Sequence, residues 1–287
     1  MNVSIIIPCY NEARSIISTL NRLQKILKKT KLKYEIIVID DASSDSSKEL
    51  IKKFKNKFFR LIEHERNLGY GASLKDGIKI AKYEWICITD ADGTYPIEDI
   101  PRLANYTSRY DMVIGARVGK HVKIPLIRKP AKWFLKKLAE YLTKRKIPDL
   151  NSGLRIFKKE IAHKFMSLFP DGFSFTTTIT IACLTNNYRV KFIPINYYKR
   201  KGKSSINALR DFSGFIQLII RLTLYFKPLN IFVPFSLFLF FIGCIKIWAD
   251  FLLTGSFGLG GTILILTAIQ IGFLGLIADM IIKRTKI

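Results

Sequence analysis

Apolar positions along the chain change their spacing in a regular way. Short, nearly continuous apolar runs, Val3–Ile7, Tyr34–Asp40, Arg60–Glu63 and Trp85–Asp90, alternate with stretches of helical character, Glu12–Lys28, Ser47–Lys55 and Gly71–Lys82. That alternation predicts an α/β fold of GT-A-like (Rossmann-like) build, a mostly parallel sheet flanked by helices. Such a sheet binds its ligands at the carboxyl ends of the strands. Polar residues fall at those ends: Pro8-Cys9-Tyr10-Asn11-Glu12, Asp40-Asp41 and Asp90-Ala91-Asp92. A further strand, Asp111–Gly115, ends at Ala116-Arg117.

The alternation breaks at residue 118. From there to residue 150 Lys and Arg are interleaved with aromatic and Leu residues, as in Lys132-Trp133-Phe134-Leu135-Lys136-Lys137-Leu138, which reads as a basic amphipathic helix near a membrane or an anionic ligand. A second amphipathic stretch runs from Ser205 to Phe226, and Pro228 is expected to end it. Two long apolar segments follow, Ile231–Leu253 and Gly261–Ile282, joined by the uncharged linker Thr254–Gly260. Each has roughly the twenty residues that a bilayer core requires. Lys246 and Asp250 stand four apart in the first segment and can pair. Lys283, Arg284 and Lys286 follow the second segment, and the linker carries no basic residue, so the positive-inside rule places both termini and the N-terminal domain in the cytoplasm. The expected organisation is a catalytic domain over 1–204, an amphipathic interface helix over 205–228 and a two-helix transmembrane anchor over 229–287.

Composition sharpens this picture. The 287 residues carry a formal charge of +25 while 49% are hydrophobic, a combination that points to a membrane surface before nucleic acid. Cys9, Cys87, Cys183 and Cys244 lie far apart in apolar runs and read as reduced core residues; the three histidines, His64, His121 and His163, show no metal-ligand spacing. The first apolar run, cut by Pro8, is too short for a signal peptide, so the N-terminal domain is expected to stay where it is made.

Candidate chemistry begins at Ile88-Thr89-Asp90-Ala91-Asp92-Gly93. Alternate residues of an extended chain face one side, so Asp90 and Asp92 can share a divalent cation, which can neutralise a diphosphate. Read alone, the pair is better taken as a solvated turn after a strand. Asp40-Asp41, after the strand Ile36–Ile39, can accept hydrogen bonds from a nucleobase or ribose, and Ser43 to Asp45 supply a helix cap. No glycine-rich phosphate loop follows the first strand, which argues against a dinucleotide dehydrogenase or a P-loop enzyme.

Taken together, Pro8-Cys9-Tyr10-Asn11-Glu12, Asp40-Asp41-Ala42-Ser43-Ser44-Asp45, Asn67-Leu68-Gly69-Tyr70-Gly71-Ala72, Asp90-Ala91-Asp92 and Asn151-Ser152-Gly153-Leu154-Arg155 resemble family 2 glycosyltransferases of GT-A fold. Within that family the chain is most similar to the dolichyl-phosphate mannose or glucose synthase branch, and its paired C-terminal segments resemble bacterial and archaeal members, which implies a prokaryotic plasma membrane. The resemblance implies that Pro8, Tyr10, Glu12 and Asp41 line the nucleoside pocket with Asp40 in support, and that Asp90 and Asp92 hold Mg2+ or Mn2+ and the sugar diphosphate. Gly93-Thr94 stands where the branch often has Leu-Gln, so Thr94 is the expected third metal-site residue. Arg117 and Arg128 match positions that contact the acceptor phosphate, Lys132 takes the place of an expected serine, and Arg200 and Lys203 match a basic segment thought to close over the site. Planar guanidinium forks suit phosphate, although attraction to anionic headgroups would explain each of these cations as well.

The implied reaction is inverting transfer of one sugar from a UDP- or GDP-sugar to a polyprenyl (dolichyl or undecaprenyl) phosphate. That acceptor is a dianion at neutral pH and needs no strong base. Asp149 could contact the sugar or form a structural turn. No Gln-x-x-Arg-Trp motif of processive synthases occurs. Two readings compete: a membrane glycosyltransferase with a hydroxyl acceptor, and a non-catalytic basic scaffold or nucleic-acid binder, the last leaving the strand-end carboxylates unexplained. No nucleic-acid partner is expected, and a homo-oligomer is left open.

Overall fold

The computed structural model of the chain describes residues 1–54, 57–118, 136–141, 143–172, 174–198, 220–256 and 258–285. The chain divides into two compact units, residues 1–215 and 216–287.

The first unit is built on a seven-stranded sheet in the order β3-β2-β1-β4-β6-β5-β7. The strands are β1 (Asn2–Cys9), β2 (Lys33–Asp40), β3 (Phe59–Glu63), β4 (Trp85–Ile88), β5 (Met112–Ala116), β6 (Arg155–Lys158) and β7 (Val190–Pro194). Ile5, Ile6 and Ile7 of β1 and Ile36 to Ile39 of β2 are wholly buried. Burial on both faces explains why these strands read as continuous apolar runs rather than as alternating ones. Helices α1 (Ile16–Leu27), α2 (Ser47–Lys53), α3 (Tyr70–Ile80) and α4 (Ile100–Ala104) connect them. Buried Ile16, Leu20, Leu23 and Leu27 form a single stripe on α1, the spacing of a helix packed on a sheet.

β1, β2, β3 and β4 are parallel, with Cys9 opposite Asp40 and Ile6 opposite Ile88, so their carboxyl ends share one edge. The expected parallel sheet is present there. β6 lies in a region where the apolar spacing predicts no strand, and it runs antiparallel to both β4 and β5. Arg155 is opposite Ile88 on one side and Ile114 on the other, so the residues just before it, Asn151 to Leu154, cross the carboxyl ends of β4 and β5. Helices α5 (Lys159–Lys164) and α6 (Phe175–Thr185) complete the unit. α6 is buried from Phe175 to Leu184.

β4 ends at Ile88, two residues earlier than its apolar run suggests. Asp90 and Asp92 therefore lie in the turn beyond the strand, closed by Gly93 at φ 72°, and do not share one face of an extended chain. Cys9, Cys87 and Cys183 are buried, as expected of core thiols. Burial first, then the charges of Asp40 and Glu12, push Cys9 up to about 12, which makes it an inert thiol.

In the second unit, residues 220–226 are helical and stop before Lys227-Pro228, where the proline was expected to end the stretch. Leu222 and Thr223 are buried there while Ile220 and Tyr225 are exposed, an amphipathic pattern. Helices α7 (Leu229–Thr254) and α8 (Leu259–Thr285) then form a hairpin. Both are long and apolar enough to cross a membrane, with a mean hydropathy of 2.1. Little of either is buried, and Phe241, Ile245 and Trp248 are each more than 60% exposed. A bilayer suits such faces and water does not. The helices touch through small residues: a β-carbon on Gly243 would come within 2.7 Å of Ile265, and the Ser236 hydroxyl donates to the Ala268 carbonyl at 2.7 Å. Lys246 pairs with Asp250 at 2.6 Å, as their spacing predicts.

Candidate active site

Loops leaving β1 and β2 are zipped together by side chains of the two motifs. Asn11 adopts φ 56°, and its Oδ1 accepts from the Ser44 and Asp45 amides at 2.8 and 3.3 Å. In return Ser43 Oγ accepts from the Asn11 amide at 3.0 Å, Asp45 accepts from that of Ala13 and Ser47 Oγ from that of Glu12. The N-cap of α2 is Ser46, one residue beyond the expected Ser43 to Asp45, and it makes no side-chain capping bond; Asp45 Oδ1 instead accepts from the Ser47 amide at 2.9 Å. Pro8 and Glu12 are buried at this edge, while Tyr10 is 41% exposed above it.

Asp40 and Asp41 differ in what they touch. Asp41 Oδ1 accepts from His64 Nδ1 at 2.7 Å and from the Leu68 amide at 2.8 Å, and its Oδ2 accepts from the Gly69 amide at 2.8 Å. Its carboxylate thus ties the 64–69 loop to the end of β2. Asp40 Oδ2 accepts a 3.3 Å bond from the Ser43 amide, while Oδ1 is buried with no hydrogen-bond partner among the described residues. A buried carboxylate oxygen left so is costly and suits a ligand's donor.

At the end of β4, Asp92 Oδ1 accepts from the Thr94 amide at 3.0 Å and from its hydroxyl at 2.7 Å. Thr94, fully buried, therefore orients a carboxylate. Asp90 Oδ1 accepts from the Tyr70 phenol at 3.1 Å. Burial and then the Asp90 charge raise the Tyr70 pKa well above its ordinary value, so the phenol stays a donor. Gly153 backs onto Asp90: a β-carbon there would lie 2.9 Å from both carboxylate oxygens. Its amide donates to the buried Tyr95 hydroxyl at 2.6 Å. The carboxylate oxygens of Asp90 and Asp92 are hard donors that fit Mg2+ or Mn2+. Among the described residues no group of three or more His, Cys, Asp or Glu is placed to hold an ion.

Arg117 follows β5. Its Nε and Nη2 donate to Asp149 at 2.7 and 2.9 Å, its backbone amide adds a third bond at 2.9 Å, and its guanidinium stacks 5.1 Å over Tyr197. Burial opposes the charge on Arg117, but Tyr95 and the Asp149 pairing hold its pKa above the ordinary value. Burial likewise pushes Asp149 up, and the bonds and charge of Arg117 more than reverse that. Tyr197 also packs edge-on against Tyr95 at 5.3 Å, and the Tyr198 amide donates to the Thr94 carbonyl at 2.8 Å. A continuous set of contacts thus joins the Asp92 turn to Arg117. Arg128, Lys132, Arg200 and Lys203 lie outside the described residues.

Sequence reasoning did not single out Tyr70, Tyr95 or Tyr197. Tyr70 sits inside a quoted motif and Tyr95 three residues after Asp92, so position was the available signal; for Tyr197 there was none. Along one strand edge the α/β sheet thus carries a carboxylate turn, a buried carboxylate oxygen with no partner among the described residues and an anchored arginine. By sequence, the chain belongs to glycosyl transferase family 2, whose model matches residues 4–166, and residues 227–283 match the GtrB C-terminal hairpin. It is 24% identical over 225 residues to the dolichyl-phosphate hexose transferase of Haloferax volcanii, covering 78% of this chain and 94% of that one. It is 29% identical over 226 residues to the undecaprenyl-phosphate 4-deoxy-4-formamido-L-arabinose transferase of Yersinia pestis, covering 77% and 67%. Among solved structures, glucosyl-3-phosphoglycerate synthase from Mycobacterium tuberculosis, in complex with Mn2+, UDP-glucose and glycerol 3-phosphate, shares the fold with a TM-score of 0.58 at 15% identity, over 78% of this chain and 79% of that one.

Proposed function

We propose that this chain transfers one sugar from a nucleoside-diphosphate sugar to the phosphate of a polyprenyl lipid, inverting the anomeric carbon. The observation that carries the reading is a pair of opposite charges flanking one strand: the Asp90–Asp92 turn leaves β4, Arg117 leaves β5, and β6 alone lies between them. The named relatives, which act on dolichyl and undecaprenyl phosphates, and the apolar hairpin support a lipid acceptor.

On this reading the β1 and β2 loops hold the nucleoside, with Tyr10 above, Glu12 and Pro8 behind, and the orphan oxygen of Asp40 as an acceptor. Asp41 shapes that pocket through the 64–69 loop. Asp90 and Asp92 would hold Mg2+ or Mn2+, which would supply positive charge to a diphosphate leaving group. Thr94 and Tyr70 orient those two carboxylates. Arg117, ordered in advance by Asp149 and Tyr197, receives the acceptor phosphate; the same role is proposed for Arg128, Lys132, Arg200 and Lys203, which lie outside the described residues. With a second pKa of about 6, the phosphate is already a nucleophile, and positioning with electrostatic stabilisation suffices. A hydroxyl acceptor would need a base, and Asp149 is a weakened one because Arg117 stabilises its charge.

Catalytic residues 1–204, an interface helix over 205–228 and an anchor over 229–287 form the corresponding division of labour. Basic residues on both flanks of the hairpin support a cytoplasmic catalytic unit. The test offers UDP- and GDP-sugars and a short polyprenyl phosphate to the full chain in detergent. A sugar-phosphate lipid of inverted anomer is the expected product; transfer to a lipid hydroxyl, with none to phosphate, overturns the reading.

A further inference from the structure

Among the described residues, the largest side chain with no exposure is a cation, Arg155. Its hydrogen bonds end on neutral oxygens. Nε donates to the Ser152 carbonyl at 3.0 Å and Nη2 to the same oxygen, while Nη1 reaches the Thr176 carbonyl at 2.8 Å and the Thr180 hydroxyl at 3.0 Å. Burying a guanidinium without a carboxylate partner is costly, and an apolar side chain of similar volume fills a core more cheaply. Burial lowers the Arg155 pKa to about 10, which leaves it charged at neutral pH.

What the cation holds explains its place. The Ser152 carbonyl belongs to the peptide that joins Ser152 to Gly153, and Gly153 is the residue that backs onto Asp90. Arg155 grips that peptide from below with two N–H groups. Tyr95 takes the Gly153 amide, and the Ser152 hydroxyl donates to the Gly115 carbonyl. Thr176 and Thr180 tie the far side of the guanidinium to the first turns of α6. The Tyr70 phenol donates to the same carboxylate. Asp90 is therefore in contact with a hydroxyl and a backbone wall, and Arg155 holds the peptide of that wall.

We propose that Arg155 is a positioning residue for the transfer: by gripping the Ser152 carbonyl it presses the Gly153 backbone against Asp90 and fixes the carboxylate that anchors the donor diphosphate. The proposal rests on the function above, in which Asp90 holds the metal. Lysine keeps the charge but cannot span two carbonyls and a hydroxyl at once, so position and charge are separable.

The experiment uses the full chain in detergent, with Arg155→Lys, Arg155→Met, Gly153→Ala and Thr180→Val. Two readouts are followed besides the unfolding midpoint: amide exchange at residue 153, and Mn2+ binding in the presence of UDP by electron paramagnetic resonance. Arg155→Lys is expected to speed exchange at Gly153 and to weaken Mn2+ roughly 10- to 100-fold, the usual loss for an outer-shell support, with metal-free UDP binding unchanged. Gly153→Ala, which displaces Asp90 directly, is expected to lose Mn2+ while keeping Arg155 intact. Should both Arg155 substitutions unfold the chain, Thr180→Val removes one anchor only and is expected to shift both readouts less, in the same direction. Folded Arg155 variants, or a folded Thr180→Val, that bind Mn2+ and protect residue 153 like the parent overturn the proposal, as does a lowered midpoint alone. If the parent transfers no sugar to polyprenyl phosphate, the function above fails, yet exchange at residue 153 still decides the role of Arg155.

Discussion

Thr94 separates orienting a ligand from being one. Its hydroxyl donates 2.7 Å to Asp92 Oδ1, so Thr94→Val, nearly equal in volume, removes that donor and leaves the core filled. We expect kcat to fall roughly 10- to 100-fold and the metal requirement to rise, with little change in nucleotide-sugar KM. Initial rates titrated with Mn2+ measure this, and an unchanged titration would confine Thr94 to the fold. The residue chemistry at this edge was legible where it depends on type: two carboxylates after an apolar strand, or an arginine after another. It was not legible where it depends on who faces whom. Asp149 lies thirty-two positions from Arg117, and nothing in its spacing says that it orders this guanidinium. The same holds for Asp41, read as a nucleoside contact, whose oxygens are bonded to His64, Leu68 and Gly69.

Elements were readable where a run of apolar residues marks them, and burial alone was no guide, since β6 is buried from Arg155 to Phe157 and was missed while the partly buried β3 was read. β1, β2 and β4 were visible as such runs, whereas β6 has four residues, begins with a charged one and ends with another, so no apolar run marks it. β7 carries a weak signal for the same reason. What pins β5, β6 and β7 together at the edge away from the site is Asp111. Its oxygens meet the Arg189 amide at 3.0 Å, Arg189 Nη2 at 3.2 Å and Lys158 Nζ at 3.1 Å. Burial would raise its pKa, but these partners lower it to about 2, against an ordinary value of 3.8. A carboxyl with a depressed folded-state value stabilises the fold above its unfolded value and loses that contribution as pH falls through the folded one. Asp111→Asn should therefore cost about 1 kcal/mol at neutral pH, the scale of a partly solvated pair. The gap between variant and parent should close below about pH 2. Unfolding of the two proteins followed across that window checks it, and a gap of constant size would remove Asp111 from the account.

At the scale of the molecule, an apolar hairpin follows an α/β unit; the hairpin was evident from segment length and apolar content, which are one-dimensional properties, and the α/β unit from the alternation of apolar runs with helical spacing. The bounds differ from expectation by one to three residues, since helix ends are set by packing. The proposed orientation is tested with an impermeant maleimide on intact cells: Ser256→Cys, exposed between the helices, should react from outside. An affinity tag before Met1 should stay protected from external protease, and its digestion would reverse the assignment. Native Cys9 is no probe for this, being 1% exposed. The backward strand β6 has one more consequence. On one side of it the sheet is made by residues up to Ile88, on the other by residues from Met112 onward, so the two flanks are separate stretches of gene. Recombination downstream of the Asp92 turn can exchange one flank wholesale while the other is inherited intact. The seams such a crossover must preserve include the ladder of β4 with β6, the Gly153 backbone against Asp90 and the edge-on contact of Tyr95 with Tyr197, whose partners have to travel as matched sets.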